Sequence, residues 1–257
     1  MGRILILLYG VVAYLAFFVT ILYAIGFVGN FQVGEFSLPK TIDTGVEGPI
    51  GMAILVNVAL LSVFAIQHTI MARPAFKTWW TKVIPAAAER STFVLVTSAI
   101  LLSTFWQWRP MTGVIWNIDQ PVVRAVLIGV SLLGWATVFY SSFLIDHFDL
   151  FGLRQVILHA GRKTYTHHPF AARSLYRYVR HPLMVGFLLA FWFTPTMTAG
   201  HLLFAAVTTG YILFGTTVEE RDLLKLLGED YRRYRERTPA FFPLPRAKRT
   251  TAGPKSN

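Results

Sequence analysis

Residues 183–218 read LMVGFLLAFWFTPTMTAGHLLFAAVTTGYILFGTTV. Two apolar runs, 183–199 and 202–218, are joined by small and polar residues, and neither alternates polar with apolar positions as a half-buried strand would. Each is close to the shortest length, about 17 residues, that a helix needs to cross the hydrocarbon core of a bilayer, so both are expected to cross steeply or where the membrane is thinned. Lipid offers no partner to an exposed N–H or C=O, which leaves the helix as the conformation. The stretch is therefore expected to form a tight antiparallel helical hairpin.

The same reading extends to four more blocks, at 4–27, 50–71, 91–108 and 122–145. Together they predict an all-α polytopic membrane protein of about six transmembrane helices, with a C-terminal hairpin and a cytoplasmic C-terminal helix. Composition agrees: 54% of the 257 residues are hydrophobic and only 14% charged, mean hydropathy is +0.50, and the apolar residues fall in blocks that a soluble domain would not bury. The first block has no small-residue cleavage site and reads as an anchor rather than a removable signal peptide. The chain has no cysteine, which excludes disulfides, thiolate metal sites and a cysteine nucleophile. Residues 1–245 are expected to form a single integral-membrane domain, followed by a disordered basic tail, RAKRTTAGPKSN, at 246–257.

Of the 24 Lys and Arg residues, all but Lys40, Arg109 and Arg124 lie before the first block, between the second and third, between the fourth and fifth, or after the sixth. That bias places both termini in the cytoplasm of a multi-pass protein, expected in a bacterial inner membrane. It also accounts for the formal net charge of +11, since basic residues that hold topology meet anionic headgroups. The bilayer is the expected macromolecular partner; no nucleic acid is expected, because no binding module accompanies the charge, and no protein partner is expected.

At the mouth of the fifth block the sequence runs SLYRYVRHPLMVGF, 174–187. The hairpin returns the chain to the same face, so Arg180 and His181 are expected close to Glu219 and Glu220, which follow the sixth block. Pro182 suits the first turn of a helix, and Gly186 admits a close neighbour, either a helix or a ligand. The plain structural alternative is that Arg180 pairs with Glu220 only to cap the hairpin.

RHPLMVG at 180–186, EE at 219–220 and LGEDYRRYRERTPAFFP at 227–243 resemble the C-terminal signature of the isoprenylcysteine carboxyl methyltransferase and phospholipid methyltransferase superfamily. The resemblance implies an S-adenosyl-L-methionine pocket facing the cytoplasm, formed by Arg180, His181, Gly186, Glu219 and Glu220, with Tyr231 and Tyr234 nearby. Met184 departs from it, standing where many relatives have tyrosine. A guanidinium suits the cofactor's carboxylate, carboxylates suit its ribose and ammonium, and tyrosines offer stacking or hydrogen bonds. Alternatively, Tyr231 and Tyr234 anchor an amphipathic helix at the membrane surface.

QHTIMARPAFKTWWTKVIP, ERSTFVL, WRP and IDHFDLFGLRQV, within about 57–243, look like the narrower family of methanethiol S-methyltransferases. That resemblance implies an enzyme, an S-adenosylmethionine-dependent thiol S-methyltransferase that converts a small volatile thiol, methanethiol, to dimethyl sulfide. Two alternatives stand beside it. One is methylation of a larger lipid or isoprenyl thiol or carboxylate. The other is a haem-binding membrane isomerase or redox protein with His68 and His147 as axial ligands, since the N-terminal segments are also similar to a family that includes zeta-carotene isomerase.

Ionisable groups beside or within spans are functional candidates. Thiol methylation is an in-line displacement by a thiolate, and a thiol is mostly protonated at neutral pH, so a base is useful. His147 or His68 is the candidate base, with Asp146 or Asp149 orienting the imidazole. The spacing of these residues matches no strong zinc pattern, and no metal is expected.

Overall fold

The computed structural model describes residues 2–33, 36–166 and 172–243; the expected tail at 246–257 lies outside them. In chain order, α1 (Arg3–Gly29) leads through β1 (Gln32–Val33) and β2 (Phe36–Ser37) to α2 (Ile50–Ala72), α3 (Pro74–Trp80) and α4 (Glu89–Gln107). Then follow β3 (Val114–Asn117), α5 (Pro121–Ile145), α6 (His147–Leu150), α7 (Leu153–Ala160), α8 (Pro182–Trp192), β4 (Thr196–Thr198), α9 (Ala199–Leu227) and α10 (Glu229–Arg237). The protein is an all-α polytopic membrane protein. Its apolar side chains face outward as well as inward: Ile4, Leu8, Val12, Leu15, Val19 and Leu22 are exposed along α1, the pattern of a helix whose solvent is lipid.

Five helices, not six, are long and apolar enough to cross a membrane among the described residues: α1, α2, α4 with the turn that precedes it, α5 and α9. The expected fifth span, 183–199, is shortened to the 11 residues of α8, roughly 16 Å at 1.5 Å per residue against a hydrocarbon core of about 30 Å. The reason lies in Thr194-Pro195: proline removes a helix donor and biases the residue before it to extended conformations. The chain then forms β4, which pairs antiparallel with β3 (Val114↔Thr198, Trp116↔Met197, Asn117↔Thr196) and so satisfies backbone that has left the helix. The tight turn expected between the two runs is thus a strand.

The sixth span is longer than expected. It continues past 218 to Leu227 through good helix formers, so Glu219 and Glu220 sit on the spanning helix itself. The expected cytoplasmic C-terminal helix, α10, is set off from α9 at Gly228, whose φ of +57° and ψ of −125° suit glycine alone.

α5 and α8 form the most extensive helix contact, and glycine makes it possible. A Cβ on Gly186 would lie 2.7 Å from Gly134 O and 2.9 Å from Val138 N, and one on Gly134 would lie 2.6 Å from Ala190 N. These pairs, with Ser131 Oγ donating to Ala190 O at 3.0 Å, fix an antiparallel register that sets His181 and Pro182 level with the end of α5 near Ser142. At the far end of the bundle a core of Phe27, Phe105, Trp108, Phe191 and Phe204 is closed by Asn57, whose amide bonds both the N–H and the C=O of Arg109. The basic connections meet at the near end, where Arg73 pairs with Asp222 at 2.7 Å and Arg90 Nε donates to Leu150 O at 2.7 Å.

Candidate active site

The hairpin brings Arg180, His181, Glu219 and Glu220 together at the near end. Arg180 is buried; its Nε donates to Glu220 Oε1 at 2.7 Å and its Nη2 lies 2.5 Å from the same oxygen. Nη1 donates to Arg235 O at 3.1 Å and to Thr238 O. His181 Nε2 lies 3.1 Å from Glu220 Oε1, so that nitrogen carries the proton, and Nδ1 lies 3.8 Å from Glu219 Oε2. Arg235, from α10, adds a second guanidinium on Glu220, 3.3 Å from Oε2. Buried Glu220 is therefore compensated from three sides, as a carboxylate out of water must be.

The segment after α10 completes the clamp. Pro239 O accepts from the Arg180 N–H at 2.9 Å and Ala240 O from the His181 N–H at 3.1 Å, capping the start of α8. Arg180 thus matches the hairpin-cap alternative: its donors hold protein groups. The open carboxylate is Glu219, with half of its side chain exposed.

Tyr231 is fully buried, against Arg180 and Glu220, and burial, with Glu220 adding to it, pushes its phenol up to about 12. Tyr234 donates to Tyr176 O at 2.6 Å, and burial pushes it up to about 12 as well, with Tyr231 adding to it. Neither is a surface anchor. Gly186 meets α5, the helix option of its two.

Beside the cluster, at the joint of α9 and α10, is a cavity of about 520 Å³ lined by Leu224, Gly228, Glu229, Arg232, Arg235 and Glu236, a size typical of ligand pockets (roughly 300–1,000 Å³). Arg235 links it to Glu220. Both signs of charge line it, which fits a ligand bearing a carboxylate and an ammonium. These four charged residues were missed in the sequence, although Tyr231 and Arg235, four apart, share one face of any helix.

The other predicted residues form a separate group. His147 is buried, stacked on Phe143 at 4.2 Å. Its Nδ1 lies 2.8 Å from Ser142 Oγ and its Nε2 2.9 Å from Tyr14 OH. Both ring nitrogens are engaged by hydroxyls, so neither Asp146 nor Asp149 orients the imidazole and neither nitrogen is open to a haem iron. Burial lowers the pKa of this imidazole, and Asp146 only partly offsets that. Asp146, at φ +132°, caps α6 by accepting from Asp149 N at 3.1 Å. Asp149 holds Arg154 at 3.0 Å and accepts from Tyr165 OH at 3.1 Å, which orders the connection after α5. Among the described residues no group of three His, Asp or Glu side chains is arranged to hold a metal ion.

His68, on α2, lies among rings: Phe93 at 4.9 Å, Phe64 at 5.4 Å and Tyr211 at 6.4 Å. Its buried Nδ1 has no hydrogen-bond partner among the described residues. The structure therefore separates the two histidines that sequence left equivalent.

No family model matches the chain, and neither does any solved structure. Named proteins do. A methanethiol S-methyltransferase of Mycobacterium tuberculosis is 53% identical over 245 residues, 95% of this chain and 98% of that protein. One from Crocosphaera subtropica is 48% identical over 244 residues, 95% of this chain and 94% of that protein. Mouse Nurim is 30% identical over 179 residues, 65% of this chain and 66% of that protein. Identity near one half over nearly the whole of both chains shows that the chain belongs to the methanethiol S-methyltransferase family of membrane enzymes.

Proposed function

We propose that this protein transfers a methyl group from S-adenosyl-L-methionine to methanethiol, giving dimethyl sulfide, at the cytoplasmic face of a bacterial inner membrane with both termini in the cytoplasm. The observation that carries the reading is the near full-length identity to named methanethiol S-methyltransferases. The charged cavity at the α9–α10 joint, linked to Glu220 through Arg235, supports the choice of donor. Arg232 and Arg235 would hold the donor's carboxylate, and Glu229, Glu236 and Glu219 its ammonium and ribose. Arg180, His181 and Glu220 shape this wall by fixing α8, α9 and the segment after α10 to one another; Tyr231 packs behind them. When bound, the donor supplies a sulfonium methyl, whose C–S bond breaks with its electron pair returning to the sulfonium sulfur as the thiol sulfur forms the new bond.

Charge is neutralised in that displacement, so a dry surrounding favours it. The apolar bundle above Glu219 offers one, and a small volatile thiol enters it directly from the bilayer. Of the two histidines, His68 is better placed to take the thiol proton, because both nitrogens of His147 are already engaged. The test is an assay of purified protein with isotopically labelled S-adenosylmethionine and methanethiol, with headspace detection of dimethyl sulfide. Labelled dimethyl sulfide is expected, with at least a tenfold loss of donor affinity for Glu219→Gln, the order of one charge-assisted contact. No labelled product from folded protein would refute the reading.

A further inference from the structure

α2 and α9 run parallel and touch at three levels: Phe64 against Tyr211, with ring centres 5.7 Å apart, Thr69 Oγ1 to Tyr211 OH at 3.2 Å, and Arg73 to Asp222. Between the second and third levels the face of α9 that carries Tyr211 continues as Gly215 and Glu219, at spacings of four. A Cβ placed on Gly215 would meet nothing within 4 Å. The face of α9 at Gly215 is therefore uncovered by protein between the rings around His68 and the exposed Glu219 carboxylate. Beside this face sits the Nδ1 of His68, a buried polar atom with no hydrogen-bond partner among the described residues.

We propose that this seam is the acceptor pocket: a short-chain thiol lies among Phe64, Phe93 and Tyr211 with its S–H on His68 Nδ1, and Gly215 leaves open the passage to the methyl group. This rests on the methyltransferase reading above. Sulfur packs well on aromatic faces, so three rings around one imidazole suit a short alkyl thiol. The S–H proton goes to Nδ1; the thiolate then moves past Gly215, and its lone pair forms the new C–S bond as the methyl's bond to the sulfonium sulfur breaks, the proton leaving later to water. Phe64 and Phe93 are the specificity-determining residues, and Gly215 is a positioning residue.

The test uses full-length protein in detergent. Gly215→Val is expected to lower kcat/KM for methanethiol at least tenfold with S-adenosylmethionine affinity by calorimetry unchanged, and Gly215→Ala to lower it less. Phe93→Ala is expected to raise the preference for butanethiol over methanethiol at least tenfold, the scale of added methylenes in an apolar pocket. In donor-free protein carrying ¹⁵N-histidine, methanethiol should shift one ring resonance that is missing in His68→Gln. Wild-type protein that makes dimethyl sulfide while Gly215→Val and Phe93→Ala leave rate and preference unchanged, or while the His68 resonance does not move, overturns the pocket and leaves the methyltransferase reading standing. Wild-type protein that makes none overturns that reading instead.

Discussion

At the scale of single residues, the two histidines singled out from sequence differ in how their nitrogens are used. His147 is held by Ser142 and Tyr14, and burial favours its neutral form. The folded state thus binds its proton less readily than the unfolded chain, whose histidine titrates near about 6.5. Stability from this group is present above that pH and is lost as pH falls below it, because the unfolded state then takes up the proton. Thermal unfolding in detergent between about pH 5 and 8 should show wild-type protein losing stability on the acid side, with a shallower loss in His147→Gln; identical slopes would contradict the assignment. Sequence could name both histidines, since ionisable groups near spans are few. It could not rank them, because Tyr14 is 133 positions from His147 and no periodicity links the two. Arg180 was legible as a residue but not in its partners: the carbonyls of Arg235 and Thr238 that occupy it carry no side-chain signature.

Among the elements, apolar blocks told where helices lie and less well where they stop. α1, α2, α4 and α5 match the expected blocks because each is uninterrupted by proline. α8 ends early because Pro195 and the pairing of β4 with β3, 79 residues apart at Asn117 and Thr196, compete with the helix. α9 outruns its block because charged residues are good helix formers once outside lipid. The close contact of α5 with α8 gives the prediction at this scale. Gly186→Leu drives a side chain into Gly134 O and Val138 N, backbone atoms that cannot swing aside. A loss of about 1–3 kcal/mol or more is expected, as for overpacking, read as a lowered unfolding temperature in detergent; Gly210→Ala, with nothing within 4 Å of its added Cβ, is the comparison and should change little.

For the whole molecule, the distribution of basic residues and the fold agree on which connections share an end. Arg73, Arg90, Arg154 and Arg180 all find partners there, while Lys40 and Arg109 lie with the opposite core. A reporter fused after Asn257 and another inserted near Asp43 should therefore report opposite compartments; the same compartment for both would remove the proposed orientation. The shortness of α8 has a consequence for biogenesis. Eleven apolar residues give an insertion machine little to hold, so α8 is expected to enter the membrane only together with α9, as a pair. Glu220 then reaches Arg180 after both arms have been threaded. It follows that the Arg180–Glu220 clamp is assembled last, in a chain already committed to its membrane.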